Sequence, residues 1–279
     1  MKSLKKLTAL LLALMMLVSA FALISCSEAQ TDNPGDETSG TTDDNKPAGD
    51  VDYIKNKGKL IVGITEYAPM NYKDDNGEWT GFDTEFALAV AEKMGVDCEF
   101  VVIEWDNKSF ELEAKSIDLV WNGMTLSDKV KASMDCSDAY VLNAQVVVVD
   151  AAKAADYKDI ASVKELKFAV ESGSAGQQCA DDNGLTYTAL TAQSDALLEV
   201  FSGAADACII DITMANAMTG EGTSYESLGI AFSLNEEEYG IGCRKGSDMV
   251  ELLNGYIKSM KEDGTLTALA QKYELTLAD

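Results

Sequence analysis

One segment, residues 116–140, limits the folds open to this chain because it joins a buried-strand pattern directly to a helix start. It opens with the short run 117–121 (IDLVW), which is too short for a helix and rich in β-branched and aromatic residues. Glycine and hydroxyl residues follow within 122–125, and Ser127 precedes a sequence that can start a helix. A strand that ends in this way presents free backbone N–H groups at a sheet edge, which suits a small polar ligand. The alternative is an ordinary strand–loop–helix connection.

Strands and helices alternate through the first half of the sequence. Residues 59–64 (KLIVGI) predict a first strand, and residues 98–103 predict a second. A helix is predicted between them over residues 84–94, with Asp83 as its N-cap and Gly95 as its stop. Strands that are separated by helices of this length indicate an α/β fold with parallel strands.

The second half of the sequence continues the alternation. A long β-rich run covers residues 141–149, and a strand at 166–170 leads into a loop of glycine and serine before another helix start. A further helix is predicted over residues 195–201, with Ser194 as its N-cap.

A carboxylate follows the last strand of this series, which is predicted at residues 206–210 and ends at Asp211. Side chains at the carboxyl ends of α/β strands point into the crevice where such sheets bind ligands. Asp211 could equally cap the helix that follows it. The sequence therefore predicts either a ligand-binding carboxylate or a helix cap at this position.

The N-terminus has the pattern of a secreted lipoprotein. Three lysines precede an apolar stretch that ends in Leu-Ile-Ser-Cys, so residues 1–25 predict a signal peptide and Cys26 predicts the site of lipid attachment. An uncleaved transmembrane anchor is the alternative, since the apolar stretch is nearly long enough to span a bilayer. Residues 26–50 are acidic and lack hydrophobic periodicity, which predicts a disordered tether. Either interpretation holds the folded part outside the cytoplasm and near a membrane.

Charge and composition exclude several classes of function. The net charge is −25, which argues against nucleic acid as a partner. The chain has no histidine, so Ser–His and Cys–His nucleophiles and histidine-ligated zinc are excluded, and we predict no catalytic residue, metal or cofactor. Apart from Cys26 there are five cysteines without a C-x-x-C pair, and we expect mostly buried thiols.

The segment 116–140 also shares a motif with a known family, in which it reads approximately D-x-(apolar)₂-x-G-M-T-x-T-x-E-R and then D-F-S-x-P-Y. The matching residues here are Asp118, Gly123, Met124, Thr125, Ser127, Asp135, Ser137 and Tyr140. Motifs around GITEYAP and GFD precede it, and residues 239–273 match the closing strand and helices. In their order and spacing these motifs resemble the amino-acid-type (family 3) extracellular solute-binding proteins of ABC importers.

The resemblance implies a two-lobed α/β fold, the periplasmic-binding-protein-like type II or Venus flytrap fold. Each lobe would hold a mixed, mostly parallel sheet flanked by helices. Residues 51–141 and 239–279 would form lobe 1, residues 142–238 would form lobe 2, and two crossing strands would join them. The implied function is a substrate-binding lipoprotein, not an enzyme, that captures an amino acid or a related amine-bearing solute. Its implied partners are ABC permease and ATPase subunits at the cell membrane.

The resemblance further implies roles for individual residues. In the family, an aspartate at the position of Asp211 captures the ligand's α-amine, and a segment at Gly173 and Ser174 holds its carboxylate. An aromatic residue at the position of Trp105 covers the ligand, whereas Trp121 is predicted to lie in the core. The full predicted ligand-binding set is Glu66, Tyr67, Trp105, Asn122, Gly123, Met124, Thr125, Gly173, Ser174 and Asp211.

One departure from the family pattern concerns the ligand class. Val130 replaces the family's arginine, and the chain's only arginine, Arg244, lies outside the predicted site. Because lysine cannot reproduce the bidentate grip of a guanidinium on a carboxylate, a cationic amine or a modified amino acid fits as well as a standard one. Two other functions stay open: a ligand-sensing receptor of the same fold, and a cyclohexadienyl-dehydratase-like enzyme with Glu66 as its general acid.

Overall fold

Thirteen strands and nine α-helices make up the part of the chain that the computed structural model describes, residues 49–279. The strands are β1 (Lys59–Ile64), β2 (Tyr72–Lys73), β3 (Trp79–Thr80), β4 (Asp97–Val102), β5 (Leu119–Thr125), β6 (Asp135–Cys136), β7 (Val141–Asn143), β8 (Gln145–Asp150), β9 (Lys167–Glu171), β10 (Thr186–Leu190), β11 (Ala207–Asp211), β12 (Leu228–Ser233) and β13 (Glu237–Cys243). The helices are α1 (Asp50–Lys57), α2 (Phe82–Met94), α3 (Lys108–Glu113), α4 (Asp128–Ser133), α5 (Ala175–Asp182), α6 (Gln193–Ser202), α7 (Ile212–Met218), α8 (Met249–Glu262) and α9 (Thr265–Lys272).

The N-terminal predictions lie almost wholly outside these residues. The signal peptide, the lipid attachment at Cys26 and the tether up to residue 48 are not described. Asp50, which we expected to end the tether, instead begins α1 and pairs with Arg244 at 3.0 Å. None of the helices in residues 49–279 is long and apolar enough to cross a membrane.

Two separate mixed sheets carry the fold. The first has the strand order β4-β1-β5-β13-β6, with β7 paired to β13, and the second has the order β10-β9-β11-β8-β12. Each sheet contains three adjacent parallel strands, β4-β1-β5 in the first and β10-β9-β11 in the second, and its other pairings are antiparallel. The predicted α/β alternation is therefore correct, and the carboxyl ends of the parallel strands form the edges where a ligand can lie.

The chain passes between the sheets twice. It leaves the first sheet through β7 and enters the second at β8, with Ala144 between them, and it returns between β12 and β13. The two passages pair with each other, since β7 and β13 form an antiparallel ladder with Asn143 opposite Glu237 and Val141 opposite Tyr239. This ladder is the link between the two sheets.

Apolar packing fills both faces of each sheet. On the first sheet, Trp121 is fully buried and meets the ring of Phe86 from α2 edge-to-face, with 4.8 Å between ring centroids. On the second, Val146 to Val149 of β8 are all buried. Such a run without alternation is expected for a strand that is covered on both sides. Trp121 is thus a core residue, as predicted.

Two predictions are wrong: Asp83 does not cap α2, and the strand does not end at residue 121. Both differences involve the hydrogen bond between Asp83 and the Gly123 backbone. Helix α2 begins at Phe82 after Gly81, so Asp83 lies inside its first turn. Its buried Oδ2 accepts hydrogen bonds from the Gly123 N–H at 2.6 Å and the Tyr140 hydroxyl at 2.9 Å. Strand β5 continues to Thr125, because Asp83 and the neighbouring β13 bind the backbone of these polar residues.

Two further predictions concern Ser194 and the cysteines. Helix α6 begins at Gln193 after Ala192, so Ser194 is not its N-cap. All five cysteines of the described part are free thiols, as expected. Only Cys208 and Cys243 are buried and the other three are half-buried, so the expectation of mostly buried thiols is met in part. Burial raises the pKa of Cys98 to about 12, which leaves that thiol protonated and inert near neutral pH.

Candidate functional site

The fold has two halves, one built on the first sheet and one built on the second. A cavity of about 570 Å³ lies between them. Eight of the ten predicted ligand-binding residues line it: Trp105, Asn122, Gly123, Met124, Thr125, Gly173, Ser174 and Asp211. The other two, Glu66 and Tyr67, are not among the lining residues. Within residues 49–279, no cluster of cysteine, aspartate and glutamate has the arrangement of a metal site. The cavity is the candidate ligand site.

The end of β5 forms the wall on the side of the first sheet. Asn122 is fixed there by Thr65: its Oδ1 accepts from the Thr65 N–H at 3.0 Å and from the Thr65 hydroxyl at 2.7 Å, and its Nδ2 donates to the Thr65 carbonyl at 2.9 Å. Gly123 has a φ of +54°, and a Cβ at this position would lie 2.7 Å from the Tyr67 ring. Only glycine allows this conformation together with this close approach.

Trp105 and Lys108 belong to the first half of the fold and line the cavity. The Lys108 ammonium lies over the Trp105 ring, 4.6 Å from its centroid, and donates to the carbonyls of Trp105 and Gly173, each at 3.0 Å. Because Lys108 belongs to the first half and Gly173 to the second, this side chain bridges the two. Burial lowers the pKa of Lys108 to about 8, although Glu171 and Asp106 partly oppose that shift.

Gly173 and Ser174 immediately precede α5 in the second half of the fold, and their donors are already engaged. The Gly173 N–H donates to the Gln177 side chain at 2.7 Å. The Ser174 hydroxyl caps α5 by accepting from the Gln177 N–H at 3.1 Å, and it donates to the Glu171 carbonyl at 2.8 Å. A ligand carboxylate would have to displace these internal hydrogen bonds in order to use either residue.

Asp211 ends β11 inside the cavity and does not cap α7 with its side chain. Its carboxylate instead accepts from three amides: Asn143 at 2.5 Å, Gln145 at 2.6 Å and Gln193. Burial, followed by the nearby charge of Glu237, raises the pKa of Asp211 to about 6, and the amide hydrogen bonds oppose this. The side chain of Asp211 therefore lines the cavity and does not cap α7, whereas its role in ligand binding stays a prediction.

Glu237 lies beside Asp211 and was missed by sequence reasoning. Two of the three amides that bind Asp211 also donate to Glu237 Oε2, Asn143 at 3.1 Å and Gln145 at 3.0 Å. The Thr125 hydroxyl donates to the same oxygen at 2.9 Å. The residue sits in the acidic run 236–238, which reads as a surface loop in the sequence. Only its pairing with β7 brings it to the cavity.

Glu171 is a third carboxylate of the cavity wall, and sequence reasoning missed it as well. It ends β9, the strand parallel to β11, so the strand-end argument that identified Asp211 would have identified it too. The residue is 2% exposed, and its Oε1 has no hydrogen-bond partner. Burial first, and the charge of Asp211 second, raise the pKa of Glu171 to about 8.

The cavity has no guanidinium. Val130 lines it, together with Lys129. Arg244, the chain's only arginine, lies elsewhere and is held by Asp50 at 3.0 Å and Asp118 at 3.6 Å. The sequence prediction that Arg244 lies outside the site agrees with this arrangement.

Glu66 and Tyr67 take different positions from those that were predicted. Glu66 is exposed. Tyr67 is 2% exposed, and its hydroxyl shares hydrogen bonds with those of Thr213 and Tyr239, each at 2.5 Å. Because Thr213 lies in the first turn of α7, the helix after β11, Tyr67 connects the two halves of the fold beside the cavity instead of forming its wall.

Comparison with known proteins identifies the family. The model for bacterial extracellular solute-binding proteins, family 3, matches residues 60–276. The chain belongs to this family. The predicted two-lobed type II fold is therefore confirmed, because the solved structures that this family 3 protein matches are amino-acid-binding proteins of that fold.

Individual relatives match most of this family 3 protein. The L-cystine-binding protein TcyA of Bacillus subtilis (strain 168) is 33% identical over 269 residues, which cover 94% of this chain and 96% of TcyA. The L-cystine-binding protein TcyJ of Escherichia coli (strain K12) is 29% identical over 228 residues, covering 80% of this chain and 85% of TcyJ. The ancestral amino acid-binding protein AncCDT-1, a precursor of cyclohexadienyl dehydratase, has a solved structure that is 31% identical, with a TM-score of 0.74 and coverage of 80% and 98%.

Proposed function

We propose that this protein is the substrate-binding lipoprotein of an ABC importer, which captures an amino acid or a related amine-bearing solute in the cavity and delivers it to a membrane permease. The observation that carries this proposal is the Asp211 carboxylate, which is buried in the cavity wall and oriented by three amides. A carboxylate that is fixed and desolvated in this way recognises an ammonium group. Relatives that bind L-cystine support an amino-acid-like ligand.

Within this class, amines and amides are proposed to bind better than standard amino acids. Val130 offers no charge to an α-carboxylate, and the donors of Gly173 and Ser174 are engaged within α5 and its loop. A buried carboxylate without a charge partner carries a penalty on the order of 2–5 kcal/mol. A ligand without a free carboxylate avoids that penalty.

The proposal also covers the organisation of the whole chain. Cys26 would carry the lipid, the segment between Cys26 and α1 would form the tether, and the lobes would be residues 51–141 with 239–279, and residues 142–238. Expression of the full chain should give a membrane-associated protein whose N-terminal peptide carries a diacylglycerol adduct in mass spectrometry. A Cys26→Ala variant should be released from the membrane. Membrane association that survives this substitution would instead favour an uncleaved anchor.

A thermal-shift screen followed by calorimetry tests the binding function. The screen should contain each standard amino acid beside its amide and its decarboxylated amine. A ligand at a hundred times its dissociation constant adds about 2.7 kcal/mol to the free energy of unfolding, which is easily detected. We expect the Asp211→Asn variant to bind the best hit at least about 30-fold more weakly, because the ligand's ammonium loses its partner.

The control variant is Asp156→Asn, because Asp156 is exposed, belongs to the same half of the fold and does not line the cavity. It should bind within about twofold of the wild type. Equal binding by wild type and Asp211→Asn would reject the proposal. The dehydratase alternative depended on Glu66, which is exposed and away from the cavity, so nothing in residues 49–279 favours that role for it.

A further inference from the structure

Three carboxylates meet at one end of the cavity, and they come from different parts of the chain. Glu171 and Asp211 end the neighbouring parallel strands β9 and β11. Glu237 begins β13 and shares the amides of Asn143 and Gln145 with Asp211. Three acidic groups thus line one region of the wall.

These three carboxylates have no cation of the protein as a partner. None of the ion pairs formed among residues 49–279 includes Glu171, Asp211 or Glu237. The nearest cation, Lys108, directs its ammonium to two carbonyl groups and to the Trp105 ring. Even if Lys108 is counted as one positive charge, an excess of two negative charges is left when all three acids are ionised.

Glu171 differs from the other two acids in a way that points to a ligand. The hydrogen bonds of Asp211 and Glu237 come from amides and a hydroxyl of the protein, whereas Glu171 Oε1 has no partner at 2% exposure. Buried polar atoms are almost always hydrogen-bonded, so an unpartnered carboxylate oxygen in a cavity wall indicates a group that arrives from outside the chain.

We infer that the cavity takes a ligand with two cationic nitrogen groups, one bound by Asp211 and Glu237 and the other bound by Glu171. This inference rests on the proposed amine-binding function and narrows it to a diamine or to a diamine extended by neutral groups. Two positive charges on the ligand balance the two negative charges that Glu171, Asp211 and Glu237 leave once Lys108 is counted. The absence of a guanidinium opposite them agrees with a ligand that lacks a free carboxylate.

Two matched ligand pairs isolate the second cation. The pair 1,5-diaminopentane and pentylamine differs by one ammonium group, and so does the pair lysine and norleucine. By calorimetry at pH 8, we expect 1,5-diaminopentane to bind about 30-fold or more tightly than pentylamine, because pentylamine leaves one carboxylate without a partner. Lysine should likewise bind more tightly than norleucine.

The Glu171→Gln variant tests the role of this residue directly. It should lose most of the preference for the diamine and keep pentylamine binding within about threefold of the wild type. The matched control is Glu165→Gln, which removes an exposed glutamate of the same half of the fold and should change neither ligand. Diamine binding that is unchanged in Glu171→Gln, or that is no tighter than pentylamine binding, would overturn the inference.

A second measurement uses the wild-type protein alone, in case the variant does not fold. Burial raises the pKa of Glu171, and so do the charges of Asp211 and Asp195, whereas Lys108 and a hydrogen bond from Thr65 lower it. Because Glu171 holds a proton below pH 8 in the empty cavity, the diamine must displace that proton. We expect its affinity to rise about tenfold or more between pH 6 and pH 8, with proton uptake by the buffer.

The two proposals fail in different ways. If pentylamine binds in an Asp211-dependent manner but neither the second ammonium nor pH changes affinity through Glu171, only the two-cation inference is wrong. If no amine or amino acid binds, or Asp211→Asn has no effect on any of them, the amine-binding function itself is wrong.

Discussion

Replacing Glu171 with glutamine is expected to stabilise the ligand-free protein, and the gain should increase with pH. Burial raises the pKa of this carboxyl group from its ordinary 4.5 to about 8. Between those two values the native protein holds a proton that the unfolded chain has lost. Stability is therefore present in full below pH 4.5 and falls as the pH rises towards 8. Glutamine is neutral throughout and escapes this loss.

The size of the effect follows from the two pKa values. The interval between 4.5 and about 8 corresponds to roughly 5 kcal/mol in the free energy of unfolding, at about 1.4 kcal/mol for each pH unit. At pH 5 the loss is still about 1 kcal/mol. At pH 8, where the native carboxyl group is half ionised, it has reached about 4 kcal/mol.

Equilibrium unfolding in urea at pH 5, 6, 7 and 8 measures this effect, with protein refolded from denaturant so that no bound solute remains. The stability advantage of Glu171→Gln over the wild type should grow by about 3 kcal/mol across this range. Asp211 also titrates there, but it does so in both proteins, so its contribution largely cancels in the difference. The exposed control Glu165→Gln should show no such trend. An advantage of Glu171→Gln that is the same at pH 5 and pH 8 would refute the reasoning.

Three further substitutions probe other contacts. Tyr67→Phe removes a hydroxyl that bonds to Thr213 across the two halves, so ligand affinity should fall about fivefold by calorimetry; unchanged affinity would mean that this contact does not stabilise the bound form. Val130→Arg should improve the binding of a standard amino acid at least about tenfold relative to its amide, and an unchanged ratio would mean that another carboxylate anchor exists. Arg244→Met should lower the free energy of unfolding by about 2 kcal/mol in urea, because it removes the hydrogen bonds to Asp50 and to the Ile117 carbonyl while Lys57 still pairs with Asp118. Ligand affinity should stay within about twofold, and a lost affinity would place Arg244 in the site after all.

The sequence was sufficient for the α/β alternation and for the place of Asp211 in the cavity wall, because both follow from local patterns. Strand periodicity and glycine stops are properties of neighbouring residues. Asp211 was found from its place at the end of a strand. Glu171 satisfies the same rule at the end of β9. The strand was predicted to end at residue 170, however, and only the glycine and serine of the following loop were assigned to the site.

Other features depend on contacts between distant parts of the chain and could not be read from local patterns. Glu237 reaches the cavity only because β13 pairs with β7. Asp83 is removed from its predicted capping role by the Gly123 backbone, 40 residues away. Helix α6 begins at Gln193, although the local sequence favoured Ser194 as its N-cap. The Gln193 side chain donates to the Asp211 carboxylate and accepts from the Asp211 N–H at 2.9 Å. In each case, hydrogen bonds between distant parts of the chain outweigh the structural preference of the local sequence.

The pairing of the two connecting strands has a mechanical consequence. Any swing of one sheet against the other turns about β7 and β13, and displacement in a rotation grows with distance from the axis. Asn143 and Glu237 belong to these strands, so their arrangement around Asp211 changes little during such a swing. The contact between Lys108 and Gly173 lies on neither strand, so a parting of the sheets would have to break it. If Asp211 binds an ammonium group as proposed, its amide partners on the connecting strands are in place before the sheets approach each other, so charge recognition precedes enclosure of the ligand.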